Sequence, residues 1–255
     1  HGTYNVSTCA AIVAAGTGLP IAKHGNRSVS SKSGASDVLH ALGVKIDLSP
    51  AQVADTITSA GIAFMWAPVH HPAMKVWAPT RAALKVRTIF NLLGPIANPA
   101  RVTRQILGVF DPHWVEPIAD AISNLGAEHV WVVHGADGLD ELSTTGPTIV
   151  AEVTQGTVAV FEITPEQAGL PRANIADLKG GDAETNAKAI RDLLDGKTGP
   201  FRDIVLLNAG AALIVGERAS CITEGVERAA QAIDTGKAKA TLEKLIVATN
   251  QIVAT

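Results

Sequence analysis

The residues best suited to chemistry lie in one short stretch, Lys23-His24-Gly25-Asn26-Arg27-Ser28-Val29-Ser30-Ser31-Lys32-Ser33-Gly34-Ala35-Ser36-Asp37. Three cations, four serine hydroxyls between residues 28 and 33, and two glycines fall between an apolar strand expected at Leu19–Ala22 and a helix expected at Asp37–Leu42. A loop whose backbone N–H groups open onto a helix N-terminus is an anion site. Lys and Arg add charge to it, and the hydroxyls donate to phosphate oxygens. A serine-rich surface loop that only caps a helix is the plainer reading, but this density of cation, Gly and Ser favours phosphate binding. The Gly-Lys-Ser/Thr order of a Walker loop is absent.

Three further groups bear on the same chemistry. Gly2-Thr3-Tyr4-Asn5-Val6-Ser7-Thr8 precedes the apolar run Cys9–Ala15, and taken alone it caps a helix through Ser7 or Thr8. Asp140-Glu141 follows the strand expected at His129–Val133, and carboxylates at that end of a strand sit where α/β sheets place ligands. Two adjacent acids suit Mg²⁺, which takes one or two carboxylates together with phosphate oxygens and water; an acidic turn is an equally weighted alternative. His70-His71 has no third ligand at metal-binding spacing, so lining a pocket or turning before Pro72 is the expected role. Arg81 or Arg87 facing a cleft would suit a substrate carboxylate through bidentate pairing, although most helical arginines are solvated. No GxSxG element is present.

These groups need a scaffold, and its punctuation is clear. Ser49-Pro50-Ala51-Gln52 is a capping box with Pro at the first helical position, predicting a helix to Ala60 that Gly61 stops. Further helices are expected from Asp111-Pro112 to about Leu125, as a short one started by Thr164-Pro165-Glu166-Gln167, and over Asp182–Asp195, Thr223–Thr235 and Lys237–Asn250. Ile62–Ala67, Gln105–Phe110 and His129–Val133 read as buried parallel strands, and Thr148–Thr154 with Thr157–Ile163 as an antiparallel hairpin turning at Gln155-Gly156. Ile204–Val215 fits a buried strand or helix, and Asn208-Ala209-Gly210-Ala211-Ala212 tips it toward helix. A helical stretch from Met74 to about Val86, with the turns Asn91–Pro95 and Asn98-Pro99, reads as an excursion out of the sheet. The alternation predicts an α/β fold with a central mixed, mostly parallel sheet flanked by helices.

The 255 residues are 47% hydrophobic and 18% charged, with 21 basic and 24 acidic side chains. That excludes a disordered chain, which needs low hydrophobicity and high net charge. A net charge of −3 without a Lys/Arg run argues against a nucleic-acid track. Cys9 and Cys221 form no close pair, so neither a disulfide framework nor a structural zinc site is expected. The apolar run Val6–Ala22 is short and interrupted by Ser, Thr, Gly and Pro, so no membrane span is expected, and the protein is read as cytoplasmic.

Lys23–Asp37 (KHGNRSVSSKSGASD), Asn5–Thr8 (NVST), Arg87–Pro99 (RTIFNLLGPIANP) and Gly138–Ser143 (GLDELS) closely resemble the anthranilate phosphoribosyltransferases of tryptophan biosynthesis. The similarity covers essentially the whole chain, and the first and third motifs are specific. It implies the nucleoside phosphorylase/phosphoribosyltransferase-like fold, with residues 1–67 and 100–255 forming a large phosphoribosyl-binding domain. Residues 68–99 would then be a helical segment and hinge belonging to a small all-α domain. The family pattern carries GTGGDG just before the position of His1-Gly2, and helices before that. The chain is therefore expected to match the family without its N-terminal helical segment.

The resemblance also implies roles. Asn5, Val6, Ser7, Thr8, Lys23, His24, Gly25, Asn26, Arg27, Ser28, Val29, Ser30, Ser31 and Ala35 would bind phosphoribosyl pyrophosphate. Asn26 and Arg81 would bind anthranilate, with His24, His71, Gly94 and Pro95 lining that pocket, and Ser7, Asp140 and Glu141 would bind Mg²⁺. A homodimer is the implied assembly, with neither nucleic acid nor membrane as partner. Catalysis would act by positioning and electrostatics rather than through a covalent intermediate. Ala35-Ser36 stands where Ser-Ala is also usual, so one hydroxyl has moved by a position. The alternatives are a pyrimidine nucleoside phosphorylase-like enzyme, betrayed by release of free base from a nucleoside and phosphate, and a non-catalytic ligand- or nucleic-acid-binding relative, betrayed by salt-sensitive binding of single-stranded DNA.

Overall fold

The computed structural model describes residues 2–27, 33–77 and 89–251. In chain order its elements are α1 (Val6–Gly16), β1 (Ile21–Gly25), α2 (Ala35–Ala41), α3 (Pro50–Ala60), β2 (Ile62–Trp66), α4 (Ala67–His70), α5 (Pro72–Lys75) and α6 (Phe90–Ile96). There follow β3 (Arg104–Gly108), α7 (Val115–Asn124), β4 (His129–Gly135), β5 (Thr148–Thr154), β6 (Thr157–Ile163), α8 (Ala183–Leu194), α9 (Pro200–Val215), α10 (Ile222–Asp234) and α11 (Lys237–Gln251).

Local chemistry accounts for many boundaries. Ser49 Oγ accepts from the Gln52 N–H and Gln52 returns a bond to the Ser49 N–H, while Gly61 at φ 76° ends α3 in the left-handed region. The β5–β6 hairpin pairs Thr154 with Thr157 across Gln155-Gly156, both at positive φ. Asp111 Oδ1 accepts from the His113 N–H and opens one 3₁₀ turn, Pro112–Trp114, before α7 begins. Helix α9 is buried around most of its circumference, which explains why its apolar run carries no clear stripe.

The fold is α/β, with a mixed sheet flanked by helices as expected, but its strands are arranged differently from a single, mostly parallel sheet. Among the described residues, β1 and β2 pair in parallel as one group, and β3-β4-β5-β6 form a second. In the second group only β3–β4 is parallel; β4–β5 and β5–β6 are antiparallel because the connections at 136–147 and 155–156 return the chain on itself. One cavity is walled by both β1 and β3. The largest core cluster joins α1, α2, α8, α9, α10 and α11 to the inner faces of β2, β4 and β5, with Ile12, Val13, Leu207 and Leu245 nearly or fully buried. A second cluster packs α7 against β3, β4 and β5. Helices α9 and α10 approach closely at Gly210 and Gly225, where a β-carbon on Gly225 would lie 2.5 Å from the Gly210 carbonyl oxygen.

Two expected boundaries move. Strand β1 runs to Gly25, so Lys23 and His24 are strand residues paired with Phe64 and Met65 rather than part of a loop. Helix α2 begins at Ala35, two residues early, because the Asp37 carboxylate accepts from the Gly34 N–H (2.9 Å) within its first turn. The helical stretch expected from Met74 to Val86 is seen over Pro72–Lys75; residues 78–88 lie outside the described residues. Among the described residues, no helix is long and apolar enough to cross a membrane.

Candidate functional site

A cavity of about 940 Å³ opens at the carboxyl ends of β1 and β3 and continues between these strands toward an apolar end at Leu19 and Val215. Its polar wall comes from separate elements. Ser7 lies in the first turn of α1, Lys23 on β1, and Asp140 and Glu141 on the loop after β4. The carboxyl ends of strands are where open α/β sheets hold ligands.

The wall is one connected set. Asn5 Oδ1 caps α1 by accepting from the Thr8 N–H (3.3 Å), so the expected cap at Ser7 or Thr8 is replaced by one of equal capping strength. Ser7 is thereby left for the site: its N–H donates to Glu141 Oε1 at 3.0 Å, and its Oγ accepts from Lys23 Nζ at 3.3 Å. A carboxylate at a helix N-terminus is favoured by the dipole and the unpaired amides there. Close surroundings of protein push the Glu141 carboxyl up to about 8, and the neighbouring Asp140 pushes the same way; the Ser7 amide and Lys23 oppose them. Burial lowers the Lys23 ammonium, and Glu141 and Asp140 raise it.

Burial and the neighbouring Asp140 make Glu141 hold its proton, so the site has a demand for positive charge that Lys23 alone does not meet. A divalent cation would meet it, and a hydroxyl beside two carboxylates matches the oxygen donors Mg²⁺ prefers. Among the described residues no group of three His, Cys, Asp or Glu is placed to hold a metal. The donor set therefore fits an ion that completes its shell with substrate oxygens and water, not one caged by protein.

The same cavity is lined by His24, Asn26, His71 and Gly94. His24 Nε2 and His71 Nε2 lie 3.1 Å apart with rings at 72°, joining β1 to the α4–α5 junction. Burial, then His71, His70 and Lys23, lower the His24 imidazole to about 4, so one ring nitrogen accepts while its partner donates. His70 takes no part in this bond, and its Nε2 is buried without a partner among the described residues.

Other expected site residues are placed elsewhere. Val6 and Thr8 are buried in the core, and the Thr8 hydroxyl has no partner among the described residues. Arg27 is exposed, with its guanidinium over the Trp66 ring at 5.6 Å and an ion pair to Asp37 at 3.8 Å. Ala35 packs beside Gly25, and the shifted hydroxyl of Ser36 is wholly buried rather than directed into the cavity. Pro95 lies in α6. Ser28, Val29, Ser30, Ser31 and Arg81 lie outside the described residues, as do Lys32 and Arg87. Two contributors escaped the sequence reading. Gly108 lets the Asp140 carbonyl press against β3, and Asn208 of α9 reaches the cavity. The visible signal for the second was an Asn in an otherwise apolar helix.

A cavity at the carboxyl ends of strands, with a helix N-terminus, a lysine and paired acids on one wall, suits a phosphorylated ligand together with a divalent cation. Residues 1–239 match the family model described as "Glycosyl transferase family, a/b domain". Proteins named anthranilate phosphoribosyltransferase from Rhodopseudomonas palustris strain BisB18 and from Parvibaculum lavamentivorans are each 60% identical over 249 residues, 98% of this chain and 74% and 73% of theirs. The crystal structure of anthranilate phosphoribosyltransferase from Thermus thermophilus superimposes with a TM-score of 0.92 at 44% identity, over 98% of this chain and 74% of that one. The Saccharomyces cerevisiae enzyme in complex with PRPP and Mg gives 0.91 at 30% identity, over 99% and 71%. The chain is thus a pentosyl-transferring glycosyltransferase by fold and site. It belongs to the anthranilate phosphoribosyltransferase family, and it spans about three quarters of the length of these relatives.

Proposed function

We propose that this chain transfers the phosphoribosyl group of phosphoribosyl pyrophosphate to the amine of anthranilate, releasing pyrophosphate. The observation that carries this reading is the hydrogen-bonded set Ser7, Lys23 and Glu141, with Asp140 beside it, at the mouth of one cavity. The C1′–N bond forms as the C1′–O bond to pyrophosphate breaks, and the amine gives up a proton. Ser7, Asp140 and Glu141 would hold Mg²⁺, which when bound offsets the charge of the departing pyrophosphate.

Lys23 supplies a positive charge in a partly desolvated wall, where it acts more strongly than in water. The loop from Gly25 to Ser31 and the backbone at residues 5–8 would bind the phosphates. Asn26 and Arg81 would orient the anthranilate carboxylate, with His24, His71, Gly94 and Pro95 around the ring. Residues 68–99 would form the hinge toward a small helical domain, and the working enzyme would be a cytoplasmic homodimer.

Loss of anthranilate fluorescence on adding phosphoribosyl pyrophosphate and Mg²⁺ tests the reading. Turnover that stops when Mg²⁺ is chelated supports it. Absence of turnover, together with release of free base from a pyrimidine nucleoside and phosphate, would replace it with the phosphorylase.

A further inference from the structure

We infer that Asn208 is a positioning residue for the Asp140–Glu141 pair, an inference that rests on that pair being the metal-binding acids. Asn208 sits mid-way along α9 and is buried. Its Oδ1 accepts from the Leu142 N–H at 3.0 Å and its Nδ2 donates to the Leu142 carbonyl at 2.8 Å. The side-chain amide thus holds both backbone groups of one residue, as a neighbouring strand would. The second Nδ2 hydrogen goes to the Ile204 carbonyl one turn earlier in α9, at 2.8 Å. Two carbonyls and one N–H fix which end of the amide is which.

An Asn in this position is unfavourable by local rules. It is a mediocre helix former, and burying an amide costs free energy unless every polar atom is paired. Its flanking residues Leu206, Leu207 and Ala209 are buried and apolar. What the amide controls is Leu142, the residue directly after Glu141.

Asp137 and Thr148 brace the loop on both sides of the acids, and Thr148 Oγ1 accepts from the Ser143 N–H at 2.9 Å. Asp137 accepts from the Leu139 N–H at 3.1 Å, from Ser143 Oγ at 2.5 Å and from Thr145 Oγ1 at 2.6 Å. The two acids are therefore suspended between Leu139 and Leu142, whose side chains are both buried anchors. Without Asn208 the turn around Asp137 keeps its bonds, whereas the Leu142 peptide loses both of its partners on α9. The direction in which Glu141 leaves the chain, and its reach to the Ser7 amide, depend on that peptide. Mg²⁺ tolerates little departure from octahedral geometry, so a modest tilt of one carboxylate weakens binding.

The test measures Mn²⁺ bound in place of Mg²⁺ by the enhancement of water-proton relaxation over a protein-free Mn²⁺–pyrophosphate solution, in the presence of inorganic pyrophosphate and without turnover. Asn208→Ala is expected to weaken Mn²⁺ binding about ten-fold or more, the size of effect that supporting contacts have on a metal site. Leu213→Ala, a wholly buried change on the same helix, serves as the control for general loosening and is expected to bind Mn²⁺ as the unaltered chain does. Asn208→Leu keeps the site filled and removes the hydrogen bonds, so it replaces the alanine variant if that one fails to fold. Failure of both to fold would overturn a positioning role and leave Asn208 a residue of the fold alone. Asp140→Asn with Glu141→Gln separates the two claims. If the double variant binds Mn²⁺ normally, the pair assignment falls and the inference with it. If the double variant loses binding while the Asn208 variants retain it, only the role of Asn208 falls.

Discussion

The carbonyl oxygen of Asp140 occupies the space that a β-carbon on Gly108 would need, 1.6 Å from its ideal position. Strand β3 and the acidic loop are in backbone contact, and only glycine permits it. Gly108→Ala must displace the loop or the end of β3, at a cost of about 1–3 kcal/mol for overpacking. Because the displaced residue is one of the paired acids, the expected loss of kcat/KM exceeds what the stability change alone would give. Urea unfolding and steady-state kinetics on the same preparation check this; wild-type turnover from a destabilised variant would refute the coupling.

The burial of His24, beside His71, makes stability depend on pH in a defined direction. The folded state holds the His24 imidazole down at about 4, while the unfolded chain takes up its proton near the ordinary value of 6.5. Between these values the unfolded state binds more protons, so stability is full above about 6.5 and falls as the pH drops toward 4. After allowance for solvent at the cavity wall, the loss expected over that interval is on the order of 1–2 kcal/mol. Denaturant midpoints at several pH values, compared with those of His24→Gln, isolate the effect. An unchanged acid slope in the variant would assign it to other groups.

Much of the fold was legible because caps and turns act locally. Ser49, Gln52 and Gly61 determine α3 by contacts within a few residues, and Gln155-Gly156 does the same for the β5–β6 register. The ends of β1 were not legible, since Lys23 and His24 face a cavity rather than a core, and half-exposed polar residues do not read as a buried strand. The separation of β1–β2 from β3–β6 is a tertiary fact that no periodicity encodes. The acids, Ser7 and Lys23 were visible as types, but their union depends on Ser7 and Glu141 meeting across 134 residues of chain. Asn208 was seen only as a hint of helix, because its value lies in whose backbone it holds.

Arg81 lies outside the described residues and carries the most specific prediction for substrate choice. A guanidinium pairs with a carboxylate through two parallel hydrogen bonds, each stronger than a neutral one. Arg81→Ala should therefore raise the KM for anthranilate about ten- to a hundred-fold while leaving the KM for phosphoribosyl pyrophosphate within about two-fold. Initial rates with each substrate varied in turn give both constants. A parallel rise in the two would remove Arg81 from the anthranilate site.

Ser36, one residue after Ala35 in α2, has a wholly buried hydroxyl with no hydrogen-bond partner among the described residues. A buried hydroxyl left unpaired costs free energy that an alanine of nearly the same shape does not. Ser36→Ala is expected to stabilise the fold by about 1 kcal/mol, which raises Tm by about 2–4 °C for a chain of this size. Turnover should not change, because Ser36 is buried and does not line the cavity. Ala35→Ser is the informative partner, since position 35 packs beside Gly25 at the carboxyl end of β1. If that hydroxyl reaches substrate phosphate, the double exchange Ala35→Ser with Ser36→Ala gains affinity for phosphoribosyl pyrophosphate as well as stability. Thermal melts with and without phosphoribosyl pyrophosphate separate the two effects: a rise without ligand belongs to position 36, and a further rise only with ligand belongs to position 35.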